Sequence, residues 1–251
     1  MTKVSTIDLA NYRRIVVMTG AGISVASGLP TYRGVGGLWH KVDVGAHATA
    51  SAVQADPERV CRFFADIRVQ IAESRPNAGH LAIARAERRL RADQKLTVLT
   101  QNVDGLHTLA GSMHVVELHG SLRGSRCTRC EFARSEDLAS CPVACPACPN
   151  CSAPMRPDVV LFGEALPVDV AWESQKSLRD CDLFLAVGTS GTVSPASNFV
   201  RAAEYAGART VYLNLEPMSP HNPAFREVLL GRAEQLLPAL FGDDADGALP
   251  N

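Results

Sequence analysis

The stretch from Thr100 to Gly120 constrains the fold of this chain most strongly. Two short apolar runs, Leu96–Leu99 and Val115–Leu118, are rich in β-branched residues and are predicted to be buried strands. Polar side chains follow the two runs, namely Gln101, Asn102, Asp104 and His107 after the first and His119 after the second. Ligands of open parallel sheets bind outside the carboxyl ends of the strands, so these groups are predicted to share one cleft.

Turn chemistry is the competing explanation for part of this set. Asp104-Gly105 alone is typical of an ordinary turn. A turn does not need two amides, a carboxylate and two histidines, so the whole set favours a functional cleft. His80 lies in a different, amphipathic segment and is predicted to be a packing histidine rather than a ligand.

Composition limits the classes of protein that fit. The 251 residues suit one large domain or one domain with a smaller insert. A formal net charge of −1 gives no electrostatic footprint for nucleic acid or for an anionic membrane. No apolar run reaches transmembrane length and no export signal is visible, so a cytoplasmic location is expected. In that compartment the eight cysteines indicate metal rather than disulfides, and Cys61 and Cys181 are predicted to be core residues.

The clustered cysteines predict a structural zinc site. Cys127 and Cys130 form one C-x-x-C pair, Cys148 and Cys151 form a second pair, and seventeen residues separate the two pairs. This spacing is typical of a zinc ribbon, in which four thiolates leave no open position for water. Cys141 and Cys145 are surplus, and Cys145 with Cys148 makes a competing pair, so the second pair of ligands stays open.

A glycine-rich turn, Gly20-Ala21-Gly22, follows the apolar run Arg14–Thr19. Such a turn between strand and helix brings backbone N–H groups close to a phosphate. Val25 occupies the place of the third glycine of the G-x-G-x-x-G pattern, and no strand that ends in Asp or Glu follows about twenty residues on. The turn therefore predicts a dinucleotide site that differs from that of a dehydrogenase.

The remaining pattern alternates strands with helices. Amphipathic helices are predicted over 57–73 and 78–90, further strands over 158–162, 183–187 and 210–213, and covering helices over 165–178, 196–205 and 225–240. This alternation predicts an α/β fold with a parallel sheet. The glycine-rich segment 30–39 is predicted to be a loop, either a functional lid or a disordered segment. Arg33 within it is either a clamp for phosphate or carboxylate or a surface charge.

Several motifs together resemble the sirtuin family of NAD-dependent protein deacylases. They are, in chain order, GAGIS, TYRG, TQNVDGLH, HG, the two C-x-x-C pairs, RPDVVLFGE, GTS and LNLEP, and they run from about Ile15 to Leu240. The resemblance implies a Rossmann-like domain (1–34, 91–121 and 158–251), a lid and helical module (35–90) and a zinc ribbon (122–157). It also implies that acyl-lysine and NAD are converted to nicotinamide, free lysine and O-acyl-ADP-ribose.

The resemblance assigns roles to individual residues. It implies that His119 is the general base. It implies an NAD site made of Gly20, Ala21, Gly22, Thr31, Tyr32, Arg33, Gln101, Asn102, Asp104, Gly188, Thr189, Ser190, Asn214 and Glu216. It implies that Val160, Phe162 and Gly163 hold the substrate peptide as an added strand, so the expected partners are acyl-lysine proteins or peptides, with no membrane and no nucleic acid.

The preferred acyl group of the substrate is predicted from two positions at which this chain differs from one branch of the family. Sirtuins that prefer succinyl- or malonyl-lysine carry a tyrosine and, three residues later, an arginine where this chain has Phe64 and Ile67. An apolar wall suits acetyl, whereas a buried carboxylate would need a partner. Desuccinylation stays open if Arg68, which is predicted to be an exposed helix charge, reaches the pocket.

Three further functions stay open at the level of the sequence. Mono-ADP-ribosyl transfer to protein would use the same NAD site. A zinc-containing dehydrogenase would share the sheet and the Cys₄ site. It would also require the third glycine of the G-x-G-x-x-G pattern and a carboxylate that binds the ribose, and this chain lacks both. The third is a zinc-ribbon binding module for nucleic acid or protein, and the near-neutral charge disfavours nucleic acid as its ligand.

Overall fold

A computed structural model describes residues 5–33, 37–136, 138, 145–191, 194 and 196–242 of the chain. Cys141, a surplus cysteine of the predicted zinc site, lies outside the described residues. Within the described residues, no helix combines the length and the apolar character that crossing a membrane requires.

The described elements alternate along most of the chain. The strands are β1 Arg14–Thr19, β2 Lys95–Thr100, β3 Val115–Glu117, β4 Gly120–Cys127, β5 Ala133–Arg134, β6 Met155–Val159, β7 Leu183–Val187, β8 Arg209–Asn214 and β9 Glu227–Leu230. The α-helices are α1 Val44–His47, α2 Ala50–Ala55, α3 Pro57–Glu73, α4 Ala78–Arg88, α5 Leu106–Leu109, α6 Val168–Arg179, α7 Phe199–Tyr205 and α8 Ala233–Leu240.

Six of the strands form one parallel sheet in the order β3-β2-β1-β7-β8-β9. Numbered along the sheet's own strands, this order is 3-2-1-4-5-6, which is the doubly wound order of dinucleotide-binding domains. The direction of winding reverses between β1 and β7. The predicted Rossmann-like parallel sheet is confirmed, and its crevice lies where these two strands end.

Both faces of the sheet are covered, because the side chains of each strand alternate between two cores. In β1, Ile15 and Val17 pack with α4 and α8, whereas Val16 and Met18 pack with α6 and α7. All four side chains are at most 2% exposed. Central parallel strands buried on both faces read as continuous apolar runs, which is why this strand was predictable from the sequence.

Two predictions about the sheet are wrong. The segment predicted to re-enter it at 158–162 instead contributes β6, which pairs antiparallel with β4 in a separate three-stranded sheet, β5-β4-β6. The segment 227–230, predicted to be helical, is the edge strand β9. Its residues alternate between half-buried and exposed, so it lacks the continuous apolar run that marks the central strands.

The helical module has its own apolar core. Helix α3 contributes Val60, Phe64, Ile67 and Ile71, which pack with residues of α1–α2 and with Leu122 and Val159 of the small sheet. Helix α4 packs instead in the core of the large sheet, where it contacts α8. We therefore propose that the module ends before α4, near residue 76, rather than at residue 90.

A disulfide joins Cys61 of α3 to Cys145, with Cα atoms 5.7 Å apart. The prediction that Cys61 is a plain core residue is therefore wrong. A reducing compartment argues against disulfides in general, and this bond joins residues 84 positions apart in sequence, which local spacing cannot reveal. The cross-link connects the helical module to the segment that precedes the second C-x-x-C pair.

Loss of this cross-link is expected to lower the free energy of unfolding by about 2–4 kcal/mol, because a loop of this length is constrained in the unfolded chain. Thermal unfolding of the wild type with and without a thiol reductant measures the effect. A double variant, Cys61→Ala with Cys145→Ala, is the control and should unfold at the same temperature in both conditions. Equal unfolding temperatures for the oxidised and reduced wild type would contradict the expectation.

Candidate active site

A cleft of about 1120 Å³ lies at the carboxyl ends of the strands, where the winding of the sheet reverses. It exceeds the usual range of about 300–1,000 Å³ for sites of drug-sized ligands. Its lining includes the turns after β1, β2, β7 and β8 together with the segment that follows β6. The cleft therefore has room for a dinucleotide and for part of a second substrate.

The turn Gly20-Ala21-Gly22 lines the cleft and packs tightly against the turn after β7. The Gly22 N–H donates to the Gly188 carbonyl over 2.8 Å. A Cβ on Gly22 would lie 2.6 Å from the Gly188 Cα, and one on Gly20 would lie 2.8 Å from the Gly188 oxygen. Glycine is thus required here for the contact between two turns, a reason that the sequence pattern did not supply.

His119 lines the cleft directly after β3 and is half-buried. Its Nδ1 lies 3.0 Å from the carbonyl oxygen of Gln101, to which only a protonated nitrogen can donate. This contact fixes the neutral tautomer with the proton on Nδ1, which leaves Nε2 as the basic nitrogen. Burial lowers the pKa of His119, and the hydrogen bond to Gln101 opposes the shift. The ring is therefore neutral at physiological pH and suited to accept a proton.

A buried polar network supports the cleft beneath the β1 turn. Asn102 donates from Nδ2 to the Gly20 carbonyl over 3.1 Å and to the Ser24 hydroxyl over 3.2 Å. The Ser24 hydroxyl donates to Asp104 over 2.7 Å. Burial raises the pKa of Asp104, while hydrogen bonds from the Leu106 N–H and Ser24 lower it. Asp104 lines a smaller cavity behind the cleft together with Asn102.

His80 borders this network, and its burial and hydrogen bonds agree with the prediction of a packing histidine, although its contact with Ser24 was not predicted. Its Nε2 lies 3.5 Å from the Ser24 hydroxyl, and its Nδ1 accepts from the Asn77 N–H at the start of α4. Burial lowers its pKa to about 4. The available signal was its place three residues after Asn77, the position of a capping box. Ser24, within the GAGIS motif, was likewise missed as a partner of Asp104.

His107 does not reach the cleft, contrary to the prediction that both histidines of the 100–120 stretch share it. It is 1% exposed, and its Nε2 lies 2.9 Å from the Thr19 hydroxyl. Its ring lies 4.8 Å from that of His80. The residue follows Gly105, where a left-handed turn begins α5 and directs the next residues into the core.

The turns after β7 and β8 complete the predicted NAD side of the cleft. The Thr189 hydroxyl donates to Gln101 Oε1 over 2.7 Å, which links the turn after β7 to the turn after β2. Asn214 donates from Nδ2 to the Thr189 carbonyl over 3.2 Å. Gly188, Ser190 and Glu216 also line the cleft, and the last two are exposed there. A hydroxyl, an amide and a carboxylate at this position suit the phosphates and ribose hydroxyls of a nucleotide.

The lid contributes Thr31, Tyr32 and Arg33 to the same lining. The backbone N–H groups of Leu38 and Trp39 donate to the carbonyls of Thr31 and Tyr32, respectively, which closes the two ends of the lid on each other. The Trp39 ring lies 5.3 Å from that of Tyr32 and 5.8 Å from that of Phe162. The lid is thus in contact with the segment predicted to hold the peptide.

That segment lines the cleft through Val160, Phe162 and Gly163. The Val160 N–H donates to the carbonyl of His119 over 2.9 Å. The N–H and carbonyl of Phe162 already pair with Ala48 and Ala50 of the helical module. Because these backbone groups are engaged, Phe162 is expected to contact a substrate mainly through its side chain, which is 40% exposed.

The predicted acyl wall is divided between two cavities. Phe64 lines the large cleft, and Ile67, one turn further along α3, lines the smaller cavity beside Asn102 and Asp104. Arg68 is not an exposed helix charge as predicted, since it is 3% exposed. Its Nε donates to the Leu122 carbonyl over 2.6 Å and its Nη2 to the Ser125 hydroxyl over 2.9 Å. Arg68 therefore ties α3 to β4 and faces away from the acyl wall.

Four cysteines meet at the far end of the small sheet, namely Cys127, Cys130, Cys148 and Cys151. Sulfur–sulfur distances of 3.5, 3.6 and 3.7 Å join them in pairs. A tetrahedral zinc with bonds of about 2.3 Å separates its sulfurs by about 3.8 Å, so the set fits this ion. Backbone N–H groups of Cys130 and Arg129 point at the Cys127 sulfur and lower its pKa to about 6. Cys145 is held in its disulfide with Cys61.

Comparisons of sequence identify relatives over most of the chain. A family model described as the Sir2 family matches residues 20–195. An NAD-dependent protein deacylase 2 of Pyrobaculum aerophilum is 44% identical over 235 residues, which is 92% of this chain and 91% of the relative. An NAD-dependent protein deacylase 1 of Pseudomonas aeruginosa is 41% identical over 93% of this chain and 95% of its own length.

Solved structures agree in fold. The crystal structure of a Sir2 homologue in complex with NAD superposes with a TM-score of 0.86 at 34% identity, covering 96% of this chain and 95% of that one. A Sir2 variant with a deacetylated p53 peptide and 3′-O-acetyl ADP-ribose gives a TM-score of 0.83 at 28% identity, covering 93% and 94%.

Proposed function

The chain belongs to the Sir2 family and is an NAD-dependent protein deacylase, and we propose that acetyl-lysine is its preferred substrate and His119 its general base. The observation that carries the proposal is the imidazole of His119, which is held in one tautomer at the wall of a cleft large enough for both substrates. NAD is the co-substrate, and a structural zinc is the metal of the small domain.

NAD supplies the ADP-ribose group that accepts the acyl group, and residues of the chain hold it in the cleft. The Ala21 N–H of the Gly20-Ala21-Gly22 turn, Arg33 and Ser190 offer donors for the pyrophosphate, and Asn214 with Glu216 offers partners for ribose hydroxyls. Asn102 also lines the large cleft, where its amide, linked to Asp104 through the Ser24 hydroxyl, can orient the nicotinamide end of NAD. Nε2 of His119 then accepts the proton of a ribose hydroxyl, which makes that oxygen a nucleophile.

The acetyl preference rests on the uncharged character of the wall near Phe64, as far as the described residues form it. The residues that pack in the same apolar cluster as Phe64 and also line the cleft include Trp39, Ala48, Val159 and Leu161, all of them uncharged. Arg68, which follows Ile67 on α3, is engaged by β4. Burying a succinyl carboxylate against this wall without a partner costs several kcal/mol, which corresponds to a loss of more than about 100-fold in kcat/KM.

We therefore expect the wild type to deacetylate a peptide at least about 100-fold more efficiently than it desuccinylates the same peptide. Introducing Phe64→Tyr together with Ile67→Arg should supply a hydroxyl and a cation and so raise desuccinylation while lowering deacetylation. Release of the free-lysine peptide, followed by mass spectrometry, measures both. Arg68→Ala is the control. The proposal would be contradicted if the wild type removed succinyl as fast as acetyl and if Arg68→Ala then lost only the desuccinylation.

A further inference from the structure

A buried ion pair braces the segment that receives the substrate. Arg156 of β6 is 5% exposed, and its Nη2 donates to Glu164 Oε1 over 2.7 Å. Its Nη1 donates to the Val159 carbonyl over 3.1 Å. One guanidinium thus holds both the end of β6 and the side chain that lies five residues beyond it. Val160, Phe162 and Gly163 face the cleft from the span between these two anchor points.

Glu164 uses its second oxygen to close the turn within this span. Its Oε2 accepts from the Leu161 N–H over 3.0 Å, and its own N–H donates to the Leu161 carbonyl over 3.0 Å. Gly163 occupies the turn with a φ of +87°, a conformation that favours glycine. The tip at Phe162 and Gly163 is therefore fixed from inside by a carboxylate that is itself fixed by Arg156.

The braced tip lies between the two other parts that the reaction needs. On one side the Val160 N–H bonds to the carbonyl of His119, and on the other the Phe162 backbone pairs with Ala48 and Ala50 of the helical module. A shift of the tip would move the Phe162 side chain relative to Nε2 of His119. Misplacement by about 1 Å in such a site is enough to cost about 100-fold in rate.

We propose that Arg156 and Glu164 are positioning residues that act through Phe162 and Gly163 to shape the peptide site. The inference rests on the proposed function, because it takes acyl-lysine peptide as the ligand of that segment. It predicts a selective effect. The pair touches the peptide side of the cleft, whereas the turns after β1, β7 and β8 that face NAD do not depend on it.

The test compares KM for an acetyl-lysine peptide with KM for NAD in Arg156→Met and Glu164→Gln. We expect peptide KM to rise by roughly 10- to 100-fold, with NAD KM changed by less than about twofold. The double variant removes both charges of the pair while leaving the glutamine oxygen for the Leu161 N–H, so it should recover part of the loss. Arg156→Lys keeps the charge but cannot bridge both acceptors, and it tests the same point if the methionine variant does not fold.

The matched control is the ion pair of Arg209 and Glu227, whose closest atoms are also 2.7 Å apart, at the distant edge of the large sheet. Arg209→Met and Glu227→Gln should leave peptide KM unchanged. Unchanged peptide KM in folded Arg156 and Glu164 variants, or an equal rise in NAD KM, would overturn the inference. Failure of the wild type to deacetylate any peptide would instead overturn the proposed function.

Discussion

Replacing His119 with alanine is expected to lower kcat for deacetylation by about 10²- to 10⁴-fold, the usual contribution of a general base. The reason is the fixed tautomer, in which the Gln101 carbonyl takes the Nδ1 proton and Nε2 remains basic. Steady-state rates on an acetyl-lysine peptide measure the effect. Because the His119 side chain is only half-buried, the unfolding temperature should change little.

His107→Ala is not a matched control, since that side chain is buried, but replacement of the exposed His40 by alanine should leave the rate unchanged.

The pH profile of deacetylation gives a second readout of the role of His119. Burial lowers the pKa of His119 from its ordinary value of 6.5, so the neutral, active form persists as the pH falls, and the acid limb should lie below that value. Turnover of the folded His119→Ala protein within about threefold of wild type would remove His119 from the mechanism.

Removing the zinc is expected to unfold the small domain before the large sheet. Binding by four thiolates contributes about 10–16 kcal/mol in small zinc domains. The core around the four cysteines is small, since its further buried members among the described residues are Ala153 and Met155. Zinc content by elemental analysis, with far-ultraviolet circular dichroism during chelation, measures the effect.

Single serine replacements test the ligand assignment. Cys148→Ser should lose zinc, whereas Cys145→Ser should retain it, because Cys145 is bonded to Cys61 in the structure. Cys181→Ser is a second control, since Cys181 is buried near β7 at a distance from the cluster. Full zinc in Cys148→Ser together with loss in Cys145→Ser would mean that the four cysteines of the small sheet are not the ligand set.

Central strands and motif positions were predictable from the sequence for physical reasons. β1 and β7 are buried on both faces and therefore read as unbroken apolar runs. The polar residues that follow them lie at the carboxyl edge of the sheet whatever the details of packing. The edge strand β9 was missed because its residues are half-buried or exposed. The segment around β6 was assigned to the wrong sheet because its pairing with β4 leaves no mark in its own sequence.

Contacts between segments distant in sequence were not predictable in this way. His80 and Ser24 are 56 residues apart, and only the folded chain brings them together beside Asp104. Arg68 looked like a surface charge because its partners include carbonyl groups of β4, which leave no mark in the side-chain pattern. The same holds for the cross-link between Cys61 and Cys145.

The most direct test of the proposed reaction is a stoichiometric one. The protein is incubated with NAD and an acetyl-lysine peptide, and all products are quantified by mass spectrometry. The expected result is that the wild type forms equal amounts of nicotinamide, free-lysine peptide and O-acetyl-ADP-ribose. His119→Ala should form all three products far more slowly. Formation of NADH, or of ADP-ribosylated peptide that keeps its acetyl group, would contradict the proposed reaction.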